Sequence, residues 1–224
     1  MKQKILSALL ALFFSLSAAA QVGEYRSQWK FGVSAGALFN RVDFKPSVAQ
    51  KFKPGATMGF TARYTCEKYY ALVCAFQTEL NYAQMGWKEN VLDANKEPYA
   101  NQYSRTCHYI QLPILARLGM GREQNGCMGY LVAGPQIGVM LGEKWTKPAG
   151  SPDGTQQTLS VQRKFDYGIT AGLGLEVSTN VGHFLIEGRY YYGLGSIFKD
   201  SKKDPFARSA NGSIVAKVTY LFGK

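Results

Sequence analysis

Apolar and polar residues alternate with a period of two along most of this chain. Between Asp166 and Val177, every second position from Tyr167 onward is apolar or aromatic, and the positions between them carry Asp, Gly, Thr or Glu. Similar alternation occurs over residues 31–39 and 214–222. Because successive side chains of a β-strand point to opposite faces, this pattern predicts strands with one apolar face and one polar face.

Eight segments carry the alternation, some of them less regularly than others. We predict strands over residues 29–40, 55–66, 71–87, 106–118, 129–143, 165–177, 183–197 and 212–222. Each reaches the roughly 9–11 residues that a tilted strand needs to cross a bilayer, whereas strands of soluble proteins more often have about five or six. An even number of strands is typical of bacterial outer-membrane barrels.

The segments between the predicted strands alternate strictly between long and short. The long ones are residues 41–54, 88–105, 144–164 and 198–211, and the short ones are residues 67–70, 119–128 and 178–182. Long loops on one side and short turns on the other are typical of an up-and-down barrel in the outer membrane. We therefore predict an all-β fold, an eight-stranded antiparallel up-and-down transmembrane β-barrel with both termini in the periplasm.

Two prolines interrupt this pattern. Pro113 and Pro135 lie inside the fourth and fifth predicted strands. Proline cannot donate a ladder hydrogen bond, and a closed barrel has no edge strand in which to place it. We therefore expect a bulge or a locally missing ladder bond at each proline.

The first twenty residues have the features of a secretory signal peptide. Lys2 and Lys4 precede an apolar stretch over residues 5–16, and Ala18 to Ala20 provide a small-residue cleavage site. We predict a signal peptide over residues 1–20, with an uncleaved N-terminal anchor as the alternative, and a barrel domain over residues 21–224. No later segment is apolar over the roughly twenty residues that a spanning helix needs, so we expect a barrel located in the outer membrane.

Charged residues occupy the strand face opposite the apolar one. If the apolar face contacts lipid, the charged face lines the lumen, which the side chains of an eight-stranded barrel roughly fill. Unpaired charges in that space are costly, so we predict an ion network that bridges strands and plugs the lumen, with a narrow ion path as the alternative. The predicted network consists of Arg63, Glu79, Arg117, Asp166, Glu176, Glu187, Arg189 and Lys217.

Aromatic residues make up 13% of the chain, and several lie near the ends of the predicted strands. We predict two aromatic belts at the boundaries between lipid and water. One belt comprises Tyr69, Tyr70, Tyr130, Tyr167 and Tyr220, and the other comprises Tyr82, Trp87, Tyr109, Trp145 and Phe198.

The chain is basic, with 26 Lys and Arg against 15 Asp and Glu and a formal net charge of +11. The surplus collects in the predicted external loops, where it can meet the phosphates of lipopolysaccharide; plain solvated loops are the alternative. The candidate glycolipid contacts are Arg41, Lys45, Lys51, Lys53, Lys144, Lys147, Arg163, Lys164, Lys199, Lys202, Lys203 and Arg208. We expect no nucleic-acid partner, because the chain is exported and its aromatic residues alternate instead of forming stacking platforms.

Two histidines and four cysteines offer little material for catalysis or metal binding. His108 lies near Ser104, but a general base also needs a nucleophile within reach and a third group that orients it. We therefore predict no enzyme and interpret His108 and His183 as rim residues. The spacings of zinc sites are absent, so we expect no metal and no cofactor. We also expect no disulfide between Cys66 and Cys74, because the two lie at different heights of the predicted hairpin.

Five segments in order resemble a known family. They are residues 30–37 (KFGVSAGA), 109–115 (YIQLPIL), 129–135 (GYLVAGP), 166–176 (DYGITAGLGLE) and 187–194 (EGRYYYGL). Together they resemble the outer-membrane β-barrel family of the Bacteroidetes, also called PorT-like or porin-family proteins, over residues 29–224. The resemblance implies an eight-stranded barrel in a Gram-negative outer membrane. It implies no single activity, although one branch of the family assists a protein secretion system.

These observations together predict a small, monomeric, non-enzymatic outer-membrane barrel. Its lumen would be plugged by polar side chains, and it would have a structural or surface-interaction role through its basic loops. One alternative is an accessory component of an outer-membrane protein secretion system. Another is an exported soluble barrel that binds a small apolar ligand, and this one requires the apolar face to point inward.

Overall fold

A computed structural model describes residues 24–89, 102–122, 126–147, 157, 159–199 and 205–223. The predicted signal peptide over residues 1–20 lies outside this part of the chain. The strands are β1 (Glu24–Lys45), β2 (Gln50–Lys51), β3 (Lys53–Tyr69), β4 (Leu72–Glu89), β5 (Ser104–Gly121), β6 (Cys127–Thr146), β7 (Phe165–Thr179), β8 (Gly182–Ser196) and β9 (Arg208–Phe222). No helix in the described ranges is long and apolar enough to cross a membrane.

Eight long strands form one closed antiparallel sheet. From β3 to β9 each strand pairs with the next one along the chain, and β1 pairs with both β3 and β9. The two-residue strand β2 adds to the edge of this ring by pairing with the end of β4. The predicted up-and-down barrel of eight strands is therefore confirmed.

Most strands are longer than the alternation predicts. β1 runs from residue 24 to residue 45, whereas the pattern predicts residues 29–40. Its last residues continue the ladder on β9, through pairs such as Asp43 with Ala210 and Lys45 with Arg208. Two of the short connections shrink to residues 70–71 and 180–181. The short connections and the first and last described residues lie at one end of the barrel, here called the turn end, and the long connections lie at the loop end.

The prolines interrupt the ladder without shifting its register. Between β4 and β5 the pairing passes from Thr78–Ile114 to Asn81–Gln111, so two pairs beside Pro113 are missing. Between β5 and β6 it passes from Pro113–Gln136 to Ala116–Ala133, so two pairs beside Pro135 are missing. The expectation of locally missing ladder bonds is confirmed.

The two faces of the barrel differ in the way that a lipid environment requires. Leu173 and Ile186 point outward and are 64% and 62% exposed, whereas Glu79 points inward and is 2% exposed. Outward apolar and inward ionic side chains are the reverse of a soluble barrel that binds an apolar ligand, so that alternative does not fit.

Candidate functional site

Interior side chains form three zones along the barrel axis. The turn-end cluster consists of Arg63, Arg117, Glu176 and His183. The middle cluster consists of Glu79, Glu187, Arg189 and Lys217. The loop-end plug is an apolar cluster that includes Leu38, Val42, Phe44, Met85, Trp87, Tyr103, Tyr109, Tyr191, Phe198 and Phe206. Each zone draws its members from several strands, because only the closed sheet brings these positions together.

The middle cluster balances two carboxylates with two cations. Arg189 donates two hydrogen bonds to Glu79, with Nη1 3.0 Å from Oε2 and Nη2 2.7 Å from Oε1. Lys217 Nζ donates to the same Oε2 at 2.6 Å, and Arg189 Nη2 also reaches Glu187 Oε2 at 2.5 Å. Tyr130 donates its hydroxyl to Glu187 Oε1 at 2.8 Å. Paired and hydrogen-bonded in this way, the four charges can remain ionised inside the barrel.

The turn-end cluster is built around one carboxylate. Glu176 Oε2 accepts hydrogen bonds from Arg63 Nη1 at 2.7 Å and from Arg117 Nη2. Its other oxygen lies 2.6 Å from His183 Nδ1. The guanidinium of Arg117 also lies 3.5 Å from the centre of the Tyr130 ring, a cation–π contact. Two guanidinium groups therefore share a single carboxylate in a buried space.

The sequence-predicted network residues all lie in the interior, where they form two charge clusters that Tyr130 joins and one separate carboxyl group. Seven of the eight belong to the turn-end and middle clusters. Asp166 lies apart from them, towards the loop end, where Asn211 Nδ2 donates to its Oδ2 at 3.1 Å. His183 joins the turn-end cluster although no sequence pattern assigned it there.

The loop-end plug corrects the predicted aromatic belts. The prediction places Trp87, Tyr109 and Phe198 in one belt against lipid, but all three are buried inside the barrel. Tyr130, a member of the other predicted belt, is also buried, nearer the turn end. The Trp87 ring contacts Phe198 edge-on with centroids 6.3 Å apart. The sequence could have shown that three of them point inward. Trp87, Tyr109 and Tyr130 each lie an even number of positions from interior charged or polar residues of the same strand, and such positions share one face. Tyr167 also differs from prediction, since it lies at the loop end.

Arg105 ties a long connection to the plug. Its guanidinium lies 5.1 Å from the Trp87 ring centre, its Nε donates to Tyr103 Oη at 2.8 Å, and its Nη1 donates to the carbonyl of Leu159 at 2.7 Å. Burial raises the pKa of Tyr103, which lies just before β5, to about 12. The hydroxyl therefore stays protonated at neutral pH.

The basic residues lie at the loop end, as expected, but many of them are not in loops. Lys202 and Lys203 fall outside the described residues. Five of the remaining ten lie in strands that extend past the predicted ends: Arg41, Lys45, Lys53, Lys144 and Arg208. Lys51 lies in the short strand β2, which the sequence pattern does not predict. The other four lie in connections: Lys147, Arg163, Lys164 and Lys199. Backbone pairing between neighbouring strands extends beyond the part of the wall that contacts lipid, so the strands continue where neither face has to be apolar.

Two of these basic residues have clear protein partners. Arg208 Nε lies 2.9 Å from Asp43 Oδ2, and its guanidinium stacks over Tyr192 at 5.1 Å. Arg41 stacks over the ring of Phe52 at 5.4 Å. Asp43 therefore offsets the charge of Arg208 in part. Phe52 carries no charge, so its contact does not neutralise Arg41.

The histidines do not form a triad arrangement. His108 Nδ1 lies 2.5 Å from the Tyr82 hydroxyl, and Ser104 lies four positions away on the same strand, about 13 Å at the usual rise of a strand. His183 is buried inside the turn end, which corrects its interpretation as a rim residue. It contacts Ser178 Oγ at 2.8 Å and Glu176 through the same atom, Nδ1. A serine–histidine–acid triad needs the serine and the acid on different ring nitrogens.

The cysteines are free thiols. The expectation that Cys66 and Cys74 lie at different heights of the hairpin is wrong. Cys74 pairs with Glu67, the residue directly after Cys66, at a register shift in β3 between Thr65 and Glu67.

The chain matches a known protein family. A family model described as outer membrane protein beta-barrel domain matches residues 19–199. A search of curated proteins found no significant match. Among solved structures, the chain is similar to Ail, the attachment invasion locus protein of Yersinia pestis, in complex with the heparin analogue sucrose octasulfate: 14% identity, 87% of this chain and 99% of that chain covered, and a TM-score of 0.41.

Two further solved structures have similar scores. Neisserial surface protein A matches at 13% identity, with 85% of this chain and 96% of that chain covered and a TM-score of 0.42. The outer membrane protein OprG from Pseudomonas aeruginosa matches at 9% identity, with 88% and 95% covered and a TM-score of 0.41.

Proposed function

The chain belongs to the outer membrane protein beta-barrel domain family and lies in the outer membrane, and from this premise we propose that it is a small non-enzymatic barrel with a surface-interaction role. Short turns of such barrels face the periplasm, so the turn end points inward and the loop end points out of the cell. The barrel closes on itself and leaves no long strand edge to pair, which supports a monomer.

The observation that carries this proposal is the filled interior. The middle cluster occupies the lumen at its centre, and the loop-end plug covers it on the outside. A lumen blocked twice along its axis makes a poor ion path. The parts of the molecule that can meet other molecules are therefore its outer surface and its two ends.

The basic residues at the loop end fit the outer leaflet of the membrane. On β1 the exposed Phe39 is followed at the next outward position by Arg41, and on β6 the exposed Leu141 precedes Lys144. Both cations thus lie at the upper limit of the apolar band, the level at which phosphates of lipopolysaccharide would meet the wall. We propose that Arg41 and Lys144 lead the contacts with that glycolipid, and that the other described basic residues extend them.

Replacing Arg41 and Lys144 by glutamine should weaken lipopolysaccharide binding. One cation near an anionic lipid surface contributes about 1 kcal/mol, so each substitution should lower the affinity about fivefold at moderate salt. The measurement is a titration of detergent-solubilised barrel with purified lipopolysaccharide. Arg122→Gln, an exposed cation at the turn end, is the matched control and should leave the affinity unchanged. Equal affinities for all variants would reject the glycolipid contact.

Two geometric observations support the absence of catalysis. Ser104 is too far from His108 for a hydrogen bond, and Ser178 and Glu176 compete for one nitrogen of His183. The role of a secretion accessory, which one branch of the PorT-like proteins performs, stays an alternative prediction; recovery of secretion components with the tagged barrel would support it.

A further inference from the structure

The turn end holds a cavity that no part of the proposed function uses. Its volume is about 310 Å³, and residues near the turn-end termini of β1 and of β3 to β8 line it, together with Asn180 of the turn that joins β7 to β8. Half-buried Arg26 and Lys30 lie at its mouth, and Arg63 and Arg117 lie on its inner wall. Val73, Ala75 and Met128 give another part of the wall an apolar character.

The wall of this cavity carries more positive than negative charge. Four described lining residues are cationic, Arg26, Lys30, Arg63 and Arg117, and Glu176 is the one acidic residue among those described. The carboxylate of Glu176 is already shared by Arg63, Arg117 and His183. Arg63 and Arg117 therefore share one negative charge between them, whereas two acids meet two bases in the middle cluster.

Hydrogen-bond donors on the inner wall also remain unused. The side chains of Arg63 and Arg117 are both more than nine-tenths buried. Within them, the atoms Arg63 Nε and Arg117 Nη1 have no hydrogen-bond partner. A buried donor without an acceptor is costly, more so on a charged group. In natural proteins a water, an ion or a ligand commonly supplies the acceptor for such a group.

From these observations we propose that the turn-end cavity binds a phosphate group, either as inorganic phosphate or as a small phosphate monoester that enters from the periplasm. A phosphate carries up to two negative charges and several acceptor oxygens, which match the excess charge and the fork of guanidinium donors. The ammonium of Lys30, whose Nζ contacts His183 Nε2, adds a further positive charge beside the site. The volume exceeds that of the anion alone, and the apolar wall offers a surface for a small organic group.

The test is calorimetric titration of the purified full-length barrel in an amine-oxide detergent, which contributes no phosphate of its own. Inorganic phosphate and glycerol 3-phosphate are the two probes, with sodium chloride of equal ionic strength as the blank. Both probes should bind with a stoichiometry of one. Tighter binding of the ester would identify a small organophosphate as the ligand, and equal binding would identify inorganic phosphate.

Variants at the mouth keep the test independent of folding. Lys30→Gln should weaken phosphate binding about tenfold, since it removes one positive charge from the cavity wall, together with the contact to His183 Nε2, and leaves both buried guanidinium groups in place. Lys88→Gln removes the same charge from an exposed position of β4 near the loop end, outside both the cavity and the predicted glycolipid contacts, and should bind phosphate like the unaltered protein. The proposal is overturned if neither probe binds with a stoichiometry of one, or if Lys30→Gln and Lys88→Gln bind equally well.

Discussion

Replacing Glu176 by glutamine should lower the free energy of unfolding by about 3–5 kcal/mol. The carboxylate is the shared partner of Arg63 and Arg117, and it also lies 2.6 Å from His183. Without it, two guanidinium groups remain close together in a buried space with no anion between them. Glutamine has nearly the same shape, so the loss reports the charge and not a cavity.

Urea-induced unfolding in detergent micelles, followed by circular dichroism in phosphate-free buffer, measures this loss. Asp43→Asn is the matched control, because it also removes a carboxylate from an arginine, but at an exposed position. Exposed pairs contribute about 0–1 kcal/mol, so the control should unfold almost like the unaltered barrel. If the two variants differ by less than 1 kcal/mol, roughly the scale of an exposed pair, the turn-end cluster does not stabilise the barrel as described.

Replacing Trp87 by alanine should cost about 3–5 kcal/mol, the range for deleting a large aromatic side chain from a packed core. The Trp87 ring is fully buried and contacts Phe44, Tyr103, Phe198 and the guanidinium of Arg105. Its loss would leave a cavity in the loop-end plug, and it would remove the anchor of Arg105.

The same unfolding assay, with Trp145→Ala as the control, tests this expectation. Trp145 is 59% exposed and belongs to β6 on the same end of the barrel, so its removal takes away the same atoms without opening a packed interior. A loss for Trp87→Ala no greater than that for Trp145→Ala would mean that the plug is not a packed core.

The sequence was sufficient to predict the barrel because lipid constrains the wall so strongly. In hydrocarbon every outward position must be apolar and every backbone group must be paired, which forces the period of two and the closure of the sheet. Beyond the membrane that constraint ends. In β1 the residues from 41 to 45 still alternate and still pair with β9, but the apolar face changes sides. Val42 and Phe44 point into the plug while Arg41 and Asp43 are exposed, so a search for a continuous apolar outer face ends the strand too early.

The arrangement of the interior could be predicted only in part. Parity assigned Glu79 and Lys217 to the inner face, but their contact joins positions 138 residues apart and depends on the register of every strand between them. The aromatic residues near the loop end presented two physical solutions, a belt against lipid or a plug inside. Trp87 and Tyr109 share the parity of interior residues, which favours the plug, whereas Phe198 and Phe206 follow β8 where strand parity no longer applies.

The claim on which the account rests is that apolar side chains outside the barrel contact lipid while the interior is sealed from it. Methyl-labelled protein in phospholipid nanodiscs tests this directly through nuclear Overhauser effects to the acyl-chain protons. Leu173 and Ile186 on the outer wall should show strong effects, and the buried Leu115, Leu185 and Leu221 should show none. Acyl-chain contacts at the three buried leucines, or their absence at Leu173 and Ile186, would contradict the account.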